Sequence, residues 1–304
     1  MLLALTSLAA CGSDEDSEAG GAGIESVTFG GKEGKEPEVT FDGRLSGAKL
    51  TTKVLSEGDG EEIVEGDNVL ANLWIGNGYS QEMMLSTWDS APELLTVDES
   101  LSKPLREAVI GQPLGTRVAV LTSAKESFGE AGNSQLGIGN EDSVLWIVET
   151  TSTILSAPTE GAEAEREPAP WAPDLVMTDG VPTGFDWEST DLKPGTNLLD
   201  TTLIKGDGPV VKKGQTLYVN YLGQVYKAKE SFDESYSTGQ PAQFAIGVGA
   251  VVKGWDETLV GRTVGSRVVL RIPPEKGYGK EGNESAGIKG TDTLYFVVDI
   301  LGAV

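Results

Sequence analysis

An α+β fold, built twice in tandem, is what the sequence predicts. Three observations lead there. The chain repeats itself at an offset of about 150 residues: LSEGDGEEIVEGDNV at 55–69 answers LIKGDGPVVKKGQTL at 203–217. In SLSKPLREAVIGQPLGTRVAV at 100–120 and VVKGWDETLVGRTVGSRVVL at 251–270, Gly111, Gly115, Arg117 and Val118 recur as Gly261, Gly265, Arg267 and Val268. A period this long means tandem domains and not a solenoid. Within each copy most apolar residues alternate as in strands, and one short stretch has helical spacing.

The elements follow in order. MLLALTSLAAC at 1–11 is apolar but too short to span a bilayer, which takes about 20 residues. Its length and small-residue end fit a secretory segment. Residues 12–37 lack an apolar period, are rich in Gly, Ser and acids, and predict a disordered acidic tether. Residues 38–155 are the first copy. Residues 156–185, with their Pro, Glu and Ala, predict a semi-stiff linker. Residues 186–304 are the second copy. There, Leu217, Val219 and Tyr221 share one strand face, as do Val268, Leu270 and Ile272, and again Leu294, Phe296, Val298 and Ile300. AVVKGWDETLVG places Val251, Trp255 and Leu259 on one helical face, with Gly261 as the residue beyond its end. One short helix among five or six strands predicts a helix packed on one face of a sheet.

Charge and composition exclude several function classes. The net charge is −24, carried by the first copy and the segments flanking it; residues 192–304 hold 12 acids against 13 bases. No basic face is available for nucleic acid. Histidine is absent, which removes the commonest general base and metal ligand. The single cysteine, Cys11, rules out an internal disulfide.

The ordered marks GDG at 206–208, VNYLG at 219–223, FD at 232–233, VVKGW at 251–255, GSRVVLRIP at 265–273, GYG at 277–279 and TLYFVVDIL at 293–301 resemble the FK506-binding family of peptidyl-prolyl cis-trans isomerases. The resemblance implies two tandem domains, each a curved antiparallel sheet wrapped around one short α-helix. It also implies a pocket in the second domain. Trp255 forms the floor, with Tyr221, Phe232, Val251, Val252 and Phe296 as lining. Asp233 stands at the rim, Tyr278 donates to a substrate carbonyl, and Ile288 closes one side. No metal or cofactor is required, because no bond breaks. The expected ligands are Xaa–Pro segments of unfolded or secreted proteins and FK506-like macrolides. Four positions depart from the family pattern. An aromatic wall residue falls on Ala242, a basic partner of the aspartate on Thr238, an isoleucine on Val252 and an alanine on Gly277. A pocket shallower on one side is expected.

Leu8-Ala9-Ala10-Cys11 likewise resembles the lipobox of bacterial lipoproteins. That resemblance implies lipidation at Cys11 and an extracytoplasmic protein anchored to the outer face of the cell membrane. A basic segment before the apolar run is missing, so a start upstream of Met1 is expected.

The first copy keeps the scaffold and loses most pocket marks. Trp255 becomes Leu105, Tyr221 becomes Leu73 and Tyr278 becomes Phe128; Trp146 stands opposite Phe296, and Trp88-Asp89 is the candidate counterpart of the Phe-Asp pair. This copy reads as degenerate. Two function classes remain: a peptidyl-prolyl isomerase working through the second domain, or a non-catalytic client-binding or chaperone module. A purely structural surface lipoprotein is a weaker third. The acidic pairs, Asp256-Glu257 among them, read as solvated surface.

Overall fold

The computed structural model describes residues 22–46, 49–159, 169–190, 193 and 195–304. The apolar run ending at Cys11 and its lipidation lie outside these residues. The chain divides into two compact units: the first is drawn from residues before 151, and the second comprises 151–304 together with 64–71 and 93–98. Among the described residues, no helix is long and apolar enough to cross a membrane.

The first copy opens with a hairpin, β1 (Val27–Gly30) and β2 (Glu38–Phe41), paired from Val27↔Phe41 to Gly30↔Glu38. Its sheet holds β3 (Thr51–Ser56), β4 (Asn68–Asn77), β5 (Glu82–Ser86), β6 (Glu93–Thr96), β7 (Arg117–Ser123) and β8 (Ser143–Ile154). The order is β3-β7-β8-β4-β5, with β6 also on β4. Helix α1 (Lys103–Val109) lies between β6 and β7 in the chain, and α2 (Ala124–Phe128) follows β7.

The second copy repeats this plan. A hairpin of β9 (Asp174–Thr178) and β10 (Val181–Asp186) precedes β11 (Leu199–Ile204), β12 (Thr216–Val225), β13 (Asp233–Glu234), β14 (Ala242–Ala245), β15 (Arg267–Ile272) and β16 (Leu294–Ala303). The order β11-β15-β16-β12-β13, with β14 on β12, matches the first sheet strand for strand. Helix α3 (Lys253–Thr258) stands where α1 stands. The fold is α+β and duplicated, as expected from the repeat.

The inner faces also follow the alternation. Leu217, Val219, Tyr221, Val268, Leu270, Ile272, Leu294, Phe296, Val298 and Ile300 form one core with Trp255 and Leu259 of the helical segment. Gly261 has φ +90°, as its place after the helix requires.

The outer faces differ from expectation. Parts of the stretches read as tether and linker fold into the two hairpins. The reason lies in the strands themselves, which are apolar on both sides and so need a second cover. In the second copy, Leu222, Val269, Tyr295 and Val297 point away from the helix and are buried with Phe185, with Trp171, Leu175, Trp187 and Tyr226 packed around them. In the first copy Trp74, Ala119, Leu121, Leu145 and Ile147 are buried with Ile24, Val27 and Leu45. Both hairpins carried local signals. VTF occurs at 27–29 and again at 39–41, and Asp179-Gly180, at φ +50° and +81°, is a two-residue hairpin turn. Acid and proline content masked them.

Each outer face also buries an ion pair. Arg117 pairs with Glu149, and Arg117 Nη2 reaches the carbonyls of Lys32 and Lys35 in the first hairpin's turn. At the matching positions Arg267 Nε donates to Asp299 Oδ1 at 2.6 Å, and the Tyr236 hydroxyl donates to Asp299 Oδ2 at 2.9 Å.

Candidate functional site

In the second copy four elements deliver aromatic rings to one spot. Tyr221 comes from β12, Phe244 from β14, Trp255 from α3 and Phe296 from β16. Trp255 is the hub. Its ring centroid lies 5.3 Å from Tyr221, 5.3 Å from Phe244 and 5.4 Å from Phe296, at interplanar angles of 86°, 84° and 81°. Edge-to-face contact is favourable for aromatic pairs and holds each ring upright on its neighbour. Phe232 stands edge-on to Phe296 at 5.6 Å. Above these rings opens a cavity of about 430 Å³, completed by Asp233, Ala250, Val251, Val252, Gly277 and Tyr278.

Eight of the nine residues expected at the site meet there: Trp255, Tyr221, Phe232, Asp233, Val251, Val252, Tyr278 and Phe296. Ile288 does not line the cavity; it is buried in the adjoining core, its backbone paired with Asn283. Ala242 does not line the cavity. Ala242 and Phe244 share a strand, and the aromatic ring is supplied two residues later, by Phe244. PAQFAIG carried the signal: Phe244 and the core residue Ile246 alternate.

Gly223 is a second residue that sequence reading missed. It pairs with Phe296 across β12 and β16, and a Cβ there would meet Phe296 Cε1 at 2.6 Å and Phe232 Cζ at 2.7 Å. The glycine makes room for two rings of the wall.

Asp256 is a third. Its Oδ1 accepts from Gly247 N at 2.6 Å and its Oδ2 from Gly249 N at 2.8 Å. Both glycines have positive φ, +78° and +85°. Far from being solvated surface, this carboxylate ties the helix to the loop that carries Ala250, Val251 and Val252. Its neighbour Glu257 is engaged too, accepting from Lys276 Nζ at 2.6 and 2.7 Å, which fastens α3 to the turn leading to Tyr278. The Lys276 ammonium holds the Glu257 carboxyl below its ordinary range.

The polar groups of the cavity are few. The Tyr221 hydroxyl donates to Asp233 Oδ2 at 2.6 Å. Burial, and then the Asp233 carboxylate, push the Tyr221 phenol well above its ordinary value, so it is a neutral donor. Tyr278 is 36% exposed at the mouth. Thr238, which departs from the base of the family pattern, turns to its own loop: its Oγ1 lies 2.7 Å from Ser235 O and 2.8 Å from Gln240 O.

The first copy has the frame without the cup. Thr87 exchanges hydrogen bonds with the Leu73 backbone as Ser235 does with Tyr221. That fixes the register. Trp88 corresponds to Tyr236, not to the Phe-Asp pair, and it packs beside Arg117 on the outer face, 5.4 Å from the guanidinium. The counterpart of Asp233 is therefore Leu85. Ile75 stands where Gly223 stands. Phe128 meets Trp146 at 5.6 Å, and Trp146 Nε1 donates to Ser127 Oγ at 3.0 Å.

Comparison with known proteins places the second copy. Residues 208–301 match the family model described as FKBP-type peptidyl-prolyl cis-trans isomerase. An FK506-binding protein from Streptomyces anulatus is 39% identical over 109 residues, covering 36% of this chain and 88% of that protein. FK506-binding protein 2 from Aspergillus fumigatus is 42% identical over 89 residues, covering 29% of this chain and 65% of the relative. Among solved structures, FkpA from Escherichia coli is 37% identical, with a TM-score of 0.33, covering 36% of this chain and 50% of that one.

Proposed function

The chain belongs to the FKBP-type peptidyl-prolyl cis-trans isomerase family, and on that premise we propose that its second copy turns Xaa–Pro bonds in the cavity over Trp255. The observation that carries this is the hub itself: three rings stand edge-on to Trp255 under an open cup lined largely by aromatic and aliphatic residues.

The chemistry asks for no nucleophile. Amide resonance sets a barrier of about 18–20 kcal/mol, and uncatalysed X–Pro isomerisation takes tens to hundreds of seconds. In the twisted amide that resonance is lost and the group is less dipolar. An aromatic cup that excludes water therefore favours the twisted form over the planar one, which is differential binding of the transition state. The proline ring sits against Trp255, Val251 and Val252. The Tyr278 hydroxyl orients a flanking carbonyl. Tyr221, a neutral donor, holds the Asp233 carboxylate at the rim. Phe232 and Phe296 close the side that Gly223 leaves open.

The first copy takes a different part. Leu73, Leu85, Leu105 and Phe128 replace the polar and aromatic set, and Ile75 occupies the space that Gly223 spares. This copy supports a client-contacting or spacing role without catalysis. The segment ending at Cys11 supports attachment to the outer face of a cell membrane, where secreted and surface proteins fold.

The test is cis-to-trans relaxation of a short Xaa–Pro peptide in the presence of the full chain, with an FK506-like macrolide as competitor. Acceleration that the macrolide suppresses is the expected result. A folded chain that binds the peptide without accelerating it would leave a binding module in the same pocket.

A further inference from the structure

The cavity lining holds one charged side chain among the described residues, Asp233, and it stands exposed at the rim. The Tyr221 hydroxyl occupies one of its oxygens at 2.6 Å. No lysine or arginine joins the lining among the described residues. The position that the family pattern gives a base, and the lysine just before Gly277, are both engaged elsewhere. Thr238 bonds within its own loop, and Lys276 is held by Glu257 at 2.6 Å. Glu234, the next residue, accepts from Ser237 N at 2.9 Å, which adds a second negative charge on the same strand. An exposed anion with no cation beside it in the lining attracts a cation brought by the ligand, an attraction that salt screens.

We infer that Asp233 selects substrates by charge, favouring a lysine or arginine next to the isomerised bond and disfavouring an acidic or phosphorylated neighbour. The inference rests on the isomerase reading of the same pocket. The Tyr221 phenol fits it: after burial, its rise comes from Asp233, Tyr278 and Glu234, and no cation opposes them. The bulk charge of the chain is not the cause, because residues 192–304 are nearly neutral.

The experiment measures kcat/KM of the full chain on peptides of equal length bearing Lys, Gln or Glu before the proline, with a second set varied after it. Low salt is compared with about 0.3 M, where the screening length is only several ångströms. In at least one set the order Lys > Gln > Glu is expected, with steps of about two- to fivefold, the range of exposed ion pairs. The steps shrink at high salt, and Asp233→Asn brings the Lys-to-Glu ratio towards one whatever it does to the absolute rates. Equal efficiencies for Lys and Glu at low salt in both sets would overturn the inference. So would a Lys advantage that survives salt or persists in Asp233→Asn. No acceleration with any peptide would instead overturn the isomerase reading beneath it.

Discussion

Tyr221 and Asp233 act as one unit: the buried phenol donates to the exposed carboxylate across 2.6 Å, so the cavity's one charge is positioned from below by its most central tyrosine. Tyr221→Phe keeps the ring contacts with Trp255 and Phe244 and frees Asp233 to move. The expected result is a fall in kcat/KM with a stability loss of about 1 kcal/mol, the worth of one hydrogen bond. Peptide kinetics and urea denaturation on the same preparation check both.

The same tyrosine contributes to an alkaline limit. Burial raises the phenols of Tyr218, Tyr221, Tyr236 and Tyr295 above their ordinary value of 10.0. The folded chain thus holds these protons more tightly than the unfolded one. The stability they contribute is complete below the unfolded value near 10.0 and is lost as pH climbs towards the folded values. Denaturation at about pH 8 and about pH 11 should show the loss in the upper range. Tyr221→Phe should make it shallower.

Gly223→Ala should cost activity more than stability. A methyl group there drives Phe232 and Phe296 from their contact. About 1–3 kcal/mol of overpacking is expected, together with a ten- to hundredfold loss of kcat/KM from misplaced walls. Unchanged kinetics would show that the rings have room to spare.

Asp256→Ala releases Gly247 N and Gly249 N and with them the loop bearing Val251 and Val252. A loss of about 1–3 kcal/mol and a raised KM are expected, because hydrogen bonds to a charged group are among the stronger ones. Asp256→Asn, which keeps one acceptor oxygen, should recover part of the loss.

The hairpin β9–β10 belongs to the folding unit. Phe185 is 4% exposed, lies tilted against Trp187 at 5.4 Å and meets Tyr295 edge-on at 6.0 Å. Phe185→Ala should cost about 3–5 kcal/mol. A fragment beginning after the hairpin should expose Leu222, Val269 and Val297 and aggregate, whereas one beginning at 151, which keeps Ile154 against Tyr218, should not. Differential scanning calorimetry separates the cases.

Much of this was legible in the sequence because period-2 alternation reports the inner face directly. Val268, Leu270 and Ile272 sit where their spacing put them. The outer face was harder. Val269, Tyr295 and Val297 filled the intervening positions, and a strand buried on both sides reads as a plain apolar run. Its covers, Phe185 and Val27, lay in segments whose acids and prolines suggested linkers. At the site, Trp255 and Asp233 were found through ordered motifs. Phe244, Gly223 and Asp256 were not, because a wall ring, a missing Cβ and a loop tie are set by three-dimensional proximity and leave little local pattern. Trp88 was misaligned because the shift in register beside Ile75 and Gly76 is invisible until the strands are paired.

Catalysis by the second copy and not the first is the proposal on which the kinetic predictions depend. It is tested most directly by measuring Xaa–Pro relaxation with the full chain beside a Trp255→Leu, Tyr278→Phe double variant, which gives the second copy the first copy's residues at both positions. Acceleration by the parent chain and its loss in a variant that remains folded is the expected result. Acceleration retained in the double variant would contradict it, placing the activity in the first copy or outside the cup.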